Sequence, residues 1–519
     1  MIDVEESRNQ RKSGAILSYL SIIISTIVQL IYTPFLIRML GQSEYGLYSL
    51  VSSIIGYLTI LDLGFGNAII VYTAKYRAQK KYEEEKKLHG MFMIVFCVIG
   101  VIAALLGLFL YVNVNNIFGN TMTSVELEKT KIMMLILTFN LAITFPFSIY
   151  SSIISAYEKF AFQKIMSIIN TLLKPLLMIP LLIIGYKSIT MTLVITIINV
   201  LVLLTNYIYC KKKLDIKIKF QGFDKILFKT ILGYSIWIFL GVIVDKINWS
   251  VDQFVLGAVS GTIAVSLYSV ASQINTLFVN LSTAVSSVLL PKMSKMLAEK
   301  ASATELTNEM IKVGRIQYYI IFFMASLFVI IGKDFIIWWA GKDFEEAYSV
   351  ALILIIPLCF PLIQNLGLSI MQALNKYKFK SISTFIMAIF NVVISYFLAK
   401  KYGPVGSAIG TAIALIICNI FLINYYYYKS IGLNVLRFWK NIFKMTITFI
   451  PSVVVTVIFY ISLPVNGFYK IILIGTLYTF LYIMSCYWVT FDSYEKRLVA
   501  NVLKKLSIKG MFKNDSRKK

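Results

Sequence analysis

Residues 90–112 read GMFMIVFCVIGVIAALLGLFLYV, and not one of these 23 residues is charged. At about 1.5 Å of rise per residue, a helix of this length covers the roughly 30 Å of bilayer hydrocarbon. A helix facing water would need a polar stripe along its length, and this one has none. Comparable stretches run from end to end of the 519-residue chain, at about 14–37, 45–73, 90–112, 132–154, 165–186, 189–209, 229–250, 254–290, 313–337, 347–371, 380–399, 404–428, 441–462 and 468–490. The eighth is too long for one plain crossing and is expected to continue past the membrane as a helix. The first lacks a small-residue cleavage site and is expected to stay in the chain. The sequence predicts an all-α polytopic membrane protein with about fourteen transmembrane helices.

Composition agrees. Hydrophobic residues make up 58% of the chain and charged residues 14%, against about a quarter charged in soluble domains. The five cysteines lie in or beside apolar stretches without a CxxC pair, which argues against a disulfide framework and a thiolate metal site. The single histidine, His89, leaves little for histidine-centred chemistry. The net charge of +25 reads as basic loops against anionic membrane lipid, with no nucleic-acid partner. The cytoplasmic loops hold no GxxxxGK[ST] phosphate cradle, and the external loops are short. No enzymatic cofactor is expected, and the chain does not read as an enzyme.

Lysine and arginine set the orientation. One alternating set of connections carries 39 of the 50 basic residues: the N-terminus, 75–88, 157–164, 210–229, 291–315, 375–380, 429–444 and the tail. The other set carries nine, and Lys174 and Lys246 lie within spans. The bias places both termini in the cytoplasm.

The chain also resembles itself at an offset of 215 to 220 residues. Ile16-Leu17-Ser18-Tyr19 matches Ile231-Leu232-Gly233-Tyr234, and GLYSLVSSI (46–54) matches SLYSVASQI (266–274). Ala156, Lys159, Phe160 and Phe162 match Ala373, Lys376, Tyr377 and Phe379. The repeat unit is six helices, an even number, so both halves enter from the same side as a parallel repeat. The expected organisation is a six-helix lobe (1–210), a basic linker (211–229), a second six-helix lobe (230–430), two further helices (431–491) and a basic cytoplasmic tail (492–519). Two lobes around a cavity are the usual architecture of alternating access, the basis for expecting transport.

RMLGQSEYGLYSL at the first external turn, LDLGFGNAI late in the second span, DQFVLGAVSGTIAVSLYSVASQI around the seventh and eighth, and the Ala-Tyr-Glu-Lys-Phe loop at 156–160 resemble the Wzx-type polysaccharide flippases. These belong to the multidrug/oligosaccharidyl-lipid/polysaccharide (MOP) exporter superfamily, and the resemblance covers about residues 10–430. It implies movement of an undecaprenyl-diphosphate-linked oligosaccharide, such as an O-antigen or capsule repeat unit, from the inner to the outer leaflet of the bacterial cytoplasmic membrane. It also implies the polysaccharide polymerase machinery as a partner. Many such flippases have twelve spans; fourteen is a feature of the lipid II flippase branch. The rival readings are a lipid II flippase and a cation-coupled multidrug antiporter of the same fold.

Ionisable groups inside spans cost roughly 2.5–3.5 kcal/mol on insertion scales and usually face a cavity or a partner. Lys174, about ten residues into the fifth span and beside Pro175, is the leading candidate to attract the lipid diphosphate; the alternative is pairing with a local carboxylate or carbonyl. Its repeat partner is Asn391. Arg38 and Lys246 are further candidate substrate contacts, Arg38 against simple snorkelling to the headgroups. Asp62, in Leu-Asp-Leu-Gly-Phe-Gly, is a candidate for gating or coupling, against capping a broken helix. Asp245 and Asp252 are seven residues apart, two turns on one helical face. They are candidates for a Na⁺ or H⁺ coupling site, against holding Lys246 as a structural pair. Trp338-Trp339 reads as an interface anchor, KYEEEKK (81–87) as a solvated helix, and SYEKRLVANVLKKLSIKGMF (493–512) as an amphipathic helix on the inner leaflet.

Overall fold

The computed structural model describes residues 2–220, 224–286, 290–374, 376–463 and 467–506. Among these residues the chain is helical throughout, without strands. The helices are α1 (Ile2–Leu58), α2 (Phe65–Ala78), α3 (Tyr82–Phe118), α4 (Ser124–Ala156), α5 (Phe160–Ile183), α6 (Ser188–Lys213), α7 (Lys225–Val259), α8 (Gly261–Ser286) and α9 (Leu290–Ala298). They continue as α10 (Ala303–Ala340), α11 (Ala347–Ile363), α12 (Asn365–Ala373), α13 (Tyr377–Leu415), α14 (Ile423–Tyr426), α15 (Val435–Ser462), α16 (Phe468–Ser485) and α17 (Ser493–Leu506).

Over the described residues the expected spans fall largely on helix, and ten described helices are long and apolar enough to cross a membrane, eleven counting the bent pair α11–α12. Two of these runs each join two expected spans. α1 breaks at Gly41, whose φ of 76° is open to glycine and costly for most other residues. α13 breaks in the same way at Gly403, ahead of Pro404. The seventh and eighth spans divide later than the hydropathy suggested. α7 runs to Val259, so residues 254–259 belong to it, and the overlong eighth stretch resolves into the end of one helix and the start of the next.

The lipid-facing character is visible on α3. Val98, Val101, Leu105, Phe109 and Val112 form one outward stripe, with Val112 71% exposed. An apolar stripe facing out is the reverse of a soluble helix and is what a hydrocarbon solvent allows. The opposite face carries small residues. A Cβ on Gly107 would lie 2.3 Å from Thr138 Oγ1 of α4, so the two helices approach closely there.

The chain groups into two compact units. The first comprises residues 1–277, 339–357 and 377–421. The second comprises 278–338, 358–376 and 422–519. Within the second, α10, α15 and α16 share an aromatic cluster: Phe449 stacks on Tyr482 at 4.4 Å and Tyr318 on Phe322 at 5.0 Å. The same unit holds α17 through a bidentate pair, with Arg315 Nε and Nη2 each 2.7 Å from the Glu495 carboxylate. The tryptophan pair separates in role. Trp338 is partly exposed and stacks on Phe468 at 4.7 Å. Trp339 is buried and donates its indole N–H to Leu30 O at 2.8 Å. A single helical step turns the two rings in different directions, so only Trp338 can serve as an interface anchor. KYEEEKK forms the first turns of α3; Glu83 there pairs with Lys86 and Lys219, whereas Glu85 is buried and accepts from Tyr157 Oη at 2.8 Å.

Candidate functional site

The second span is broken in the first unit. After α1 ends at Leu58, a 3₁₀ turn covers Thr59–Asp62, and Leu63 and Gly64 both take left-handed φ values before α2 begins at Phe65. Asp62 sits at this break, and the backbone amides of Gly64 and Gly66 hydrogen-bond to its carboxylate. The carboxylate thus lies beside the start of α2. Irregular backbone at membrane depth is tolerated where it is buried in protein or lines a cavity, and Thr59 lines one.

That cavity has a volume of about 300 Å³ and lies between α1, α4, α5 and α6. Its polar lining is Ser52, Thr59, Asn140, Thr144, Asn170, Lys174 and Asn199, with aliphatic residues between them and no carboxylate. Asn199 donates to Asn140 Oδ1 at 2.6 Å and to Thr144 Oγ1 at 2.8 Å. Asn170 lies one turn before Lys174 on α5, and its Oδ1 is buried without a donor. Lys174 has no hydrogen-bond or ion-pair partner among the described residues. The pairing of Lys174 with a local carboxylate is thus not observed, and its ammonium borders a polar, carboxylate-free cavity.

The equivalent place in the second repeat is different. Asn391 is buried, and its Oδ1 accepts from Ser395 at 2.9 Å and Thr411 at 3.2 Å. The cavity beside it measures about 30 Å³. Next to it lies Asp252, 1% exposed, whose carboxylate accepts from Tyr268 Oη at 2.6 Å, Ser407 Oγ at 2.7 Å and Thr411 Oγ1 at 2.9 Å. No basic side chain pairs with Asp252 among the described residues. A buried carboxylate surrounded by hydroxyl oxygens can take a proton or a small cation.

Asp245 and Lys246 sit on α7, but their side chains lie outside the described residues. Arg38 is exposed near the break at Gly41 and does not line the cavity.

The sequence reading singled out Lys174 but missed Asn140, Asn170 and Asn199, although asparagines inside otherwise apolar spans are a usable signal. It named Asp252 without Tyr268, Ser407 and Thr411, because hydroxyl residues are common in such helices and only packing selects these three. It also missed Glu44, buried just after Gly41, which is held by Lys129 of α4 and Ser188 of α6.

The model of the polysaccharide biosynthesis protein family matches residues 12–297. The chain belongs to this family. It is 22% identical over 408 residues to a Shigella flexneri protein described as an O-antigen transporter, covering 77% of this chain and 93% of that one. A Salmonella typhi protein of the same description is 25% identical, covering 80% and 95%. Among solved structures, the fold is similar to lipid II flippase MurJ in an inward closed conformation, with TM-score 0.71 and 20% identity over 91% of this chain and 97% of that one. It is also similar to an inward-facing MATE family transporter of the MOP superfamily, with TM-score 0.59 and 14% identity over 78% and 96%. The chain is a multi-pass membrane protein with a MATE-like fold.

Proposed function

We propose that this protein moves a polyprenyl-diphosphate-linked oligosaccharide, a surface polysaccharide repeat unit, from the inner to the outer leaflet of the bacterial cytoplasmic membrane. It works by alternating access between two repeat-related lobes, residues 1–210 and 230–430, with both termini in the cytoplasm. The observation that carries the reading is Lys174: a lysine without a counter-charge among the described residues, beside a cavity whose lining has no carboxylate, attracts an anionic cargo and repels a cationic one. A compact ammonium on a flexible stem suits a diphosphate that must bind and then leave. The family membership and the O-antigen transporters it resembles support the same cargo class.

Asp252 is assigned the coupling role. Its carboxylate and the oxygens of Tyr268, Ser407, Thr411 and Asn391 form a compact oxygen cluster that takes up Na⁺ or H⁺ in one state of the cycle. Asp62 is assigned to holding the broken second helix against the cavity. Arg38 and Lys246 are placed along the cargo path, and the basic loops and tail rest against anionic lipid.

The test is leaflet assignment of the lipid-linked glycan after depletion of this protein. Complete lipid-linked glycan accumulating on the inner leaflet, with surface polysaccharide lost, supports the flippase. Undisturbed polysaccharide with new sensitivity to cationic drugs would instead establish the multidrug antiporter, and arrested peptidoglycan synthesis the lipid II flippase.

A further inference from the structure

Gly46, Leu50 and Tyr57 share one face of the second half of α1. Along that face the helix runs antiparallel to the end of α7 and the start of α8. A Cβ on Gly46 would lie 2.0 Å from Thr262 O, and a Cβ on Gly257 would lie 2.7 Å from Leu50 Cδ1. As the numbering rises from 46 to 50 on one side, it falls from 262 to 257 on the other. About two further turns of α1 lead to Tyr57, and the same progression sets it opposite the turn of α7 that carries Asp252. The electrostatics agree: the charge of Asp252 acts on Tyr57, and Tyr57 acts in turn on Tyr268.

Tyr57 Oη is buried and has no hydrogen-bond partner among the described residues. A buried hydroxyl left unpaired is costly, so one set opposite a carboxylate calls for an explanation. Asp252 has room for it. A carboxylate offers about four acceptor positions. Its Oδ2 accepts from Tyr268 and Thr411, and its Oδ1 from Ser407, while Ser395 close by donates to Asn391. A position on Oδ1 is thus left for a further donor. The titratable side chains facing Asp252 among the described residues are Tyr57 on α1 and Tyr268 on α8; α13 brings hydroxyls and Asn391.

The adjacent face of the same turn belongs to the Lys174 cavity, which Ser52, Gly56 and Thr59 line. Successive residues of a helix point about 100° apart, so Gly56 and Tyr57 turn toward the cavity and toward Asp252 respectively. The 3₁₀ turn that follows, Thr59–Asp62, packs against α7. The last turn of α1 therefore borders both places and ends at a break, where an element terminus can absorb a shift.

We propose that Tyr57 is the positioning residue that links Asp252 to the cavity: its hydroxyl donates to the bare carboxylate and lets go when Na⁺ or a proton occupies it. The proposal rests on the coupling role assigned to Asp252. A bare buried carboxylate gains from every donor, and a neutralised one gains far less. Each exchange moves the last turn of α1, and with it Gly56 and Thr59 of the cavity wall. The unpartnered Oη of the structure is the released arrangement.

The test uses the detergent-purified full chain with its five native cysteines replaced by alanine and bimane attached at Thr59→Cys. Two signals are followed as K⁺ is exchanged for Na⁺ and, separately, as the pH falls from 8 to 6. The thermal unfolding midpoint reports occupancy of the carboxylate, provided that Asp252→Asn abolishes its response. The bimane emission reports the cavity wall. One of the two ions is expected to move both signals, and Tyr57→Phe should keep the midpoint response and lose the emission shift. An emission shift that survives in Tyr57→Phe overturns the proposal. So does emission from the parent reporter chain that ignores an ion to which the midpoint responds. This last comparison needs no change at Tyr57, so a Tyr57→Phe chain that fails to fold leaves the test intact. A chain in which neither signal responds to either ion would sink the coupling role of Asp252 itself, and the proposal with it.

Discussion

Lys174 and Asn391 occupy the same step of the internal repeat, 217 residues apart, in opposite surroundings. Lys174 lines an open polar cavity and has no partner among the described residues, while Asn391 is buried and accepts from Ser395 and Thr411. The two places differ in chemistry, with a cation beside a cavity in one half and a carboxylate, Asp252, in a closed oxygen cluster in the other. In the proposed transport cycle the two places would serve two ligands, cargo and coupling ion.

The division of labour makes Asp252 separable from cargo binding. In proteoliposomes, transport by the wild type should speed up under an imposed Na⁺ or proton gradient. Asp252→Asn keeps the size of the side chain and removes its charge; its residual transport should no longer respond to either gradient. A full gradient response in Asp252→Asn would refute the coupling role.

The hydroxyls around Asp252 should matter for stability as well. Thr411→Val removes the hydroxyl whose one hydrogen lies between the Asp252 carboxylate at 2.9 Å and Asn391 Oδ1 at 3.2 Å, a loss of about 1–3 kcal/mol for a buried polar group. Thermal unfolding of the purified protein should show a lowered midpoint. In an Asp252→Asn background, where no buried charge is left short of donors, the same change should cost less.

Glu44 is buried and held by Lys129 and Ser188. Removing one partner of a buried pair costs more than removing both. Lys129 is partly exposed, so Lys129→Met should destabilise by about 1–3 kcal/mol and not by the full value of a deeply buried pair. The double variant Glu44→Gln/Lys129→Met should recover a good part of the loss, again read by thermal unfolding.

A Cβ on Gly46 would lie 2.0 Å from the carbonyl oxygen of Thr262, so α1 and α8 meet there through backbone. Nearby, Gln273 of α8 accepts from Thr33 Oγ1 at 2.9 Å and donates to Tyr45 Oη. Gly46→Val should prise these helices apart on the side assigned to the cell exterior. A cysteine replacing buried Ser266 should then react several-fold faster with a membrane-impermeant maleimide added outside. Unchanged labelling would mean that this approach does not hold the external face closed.

In the second unit, Arg315→Lys replaces a two-pronged contact with Glu495 by a point charge and loses the bond from Arg315 Nη2 to Thr490 O. The helix starting at Ser493 should come loose, and limited proteolysis should remove it several-fold faster than in the wild type.

The sequence by itself determined that this is an all-helical membrane protein and where most of its apolar helices run. Long apolar runs such as 90–112 have one stable answer in hydrocarbon, because a helix satisfies its own backbone hydrogen bonds locally. It also singled out Lys174 and Asp252, because charge inside an apolar span is rare enough to stand out. The tertiary structure alone decided what surrounds them. Asn140, Asn170 and Asn199 come from three different helices, and Tyr268, Ser407 and Thr411 reach Asp252 from positions up to 159 residues away. Hydropathy is a local property of the chain, while a binding cavity is a property of packing between distant helices. No window of sequence contains that information.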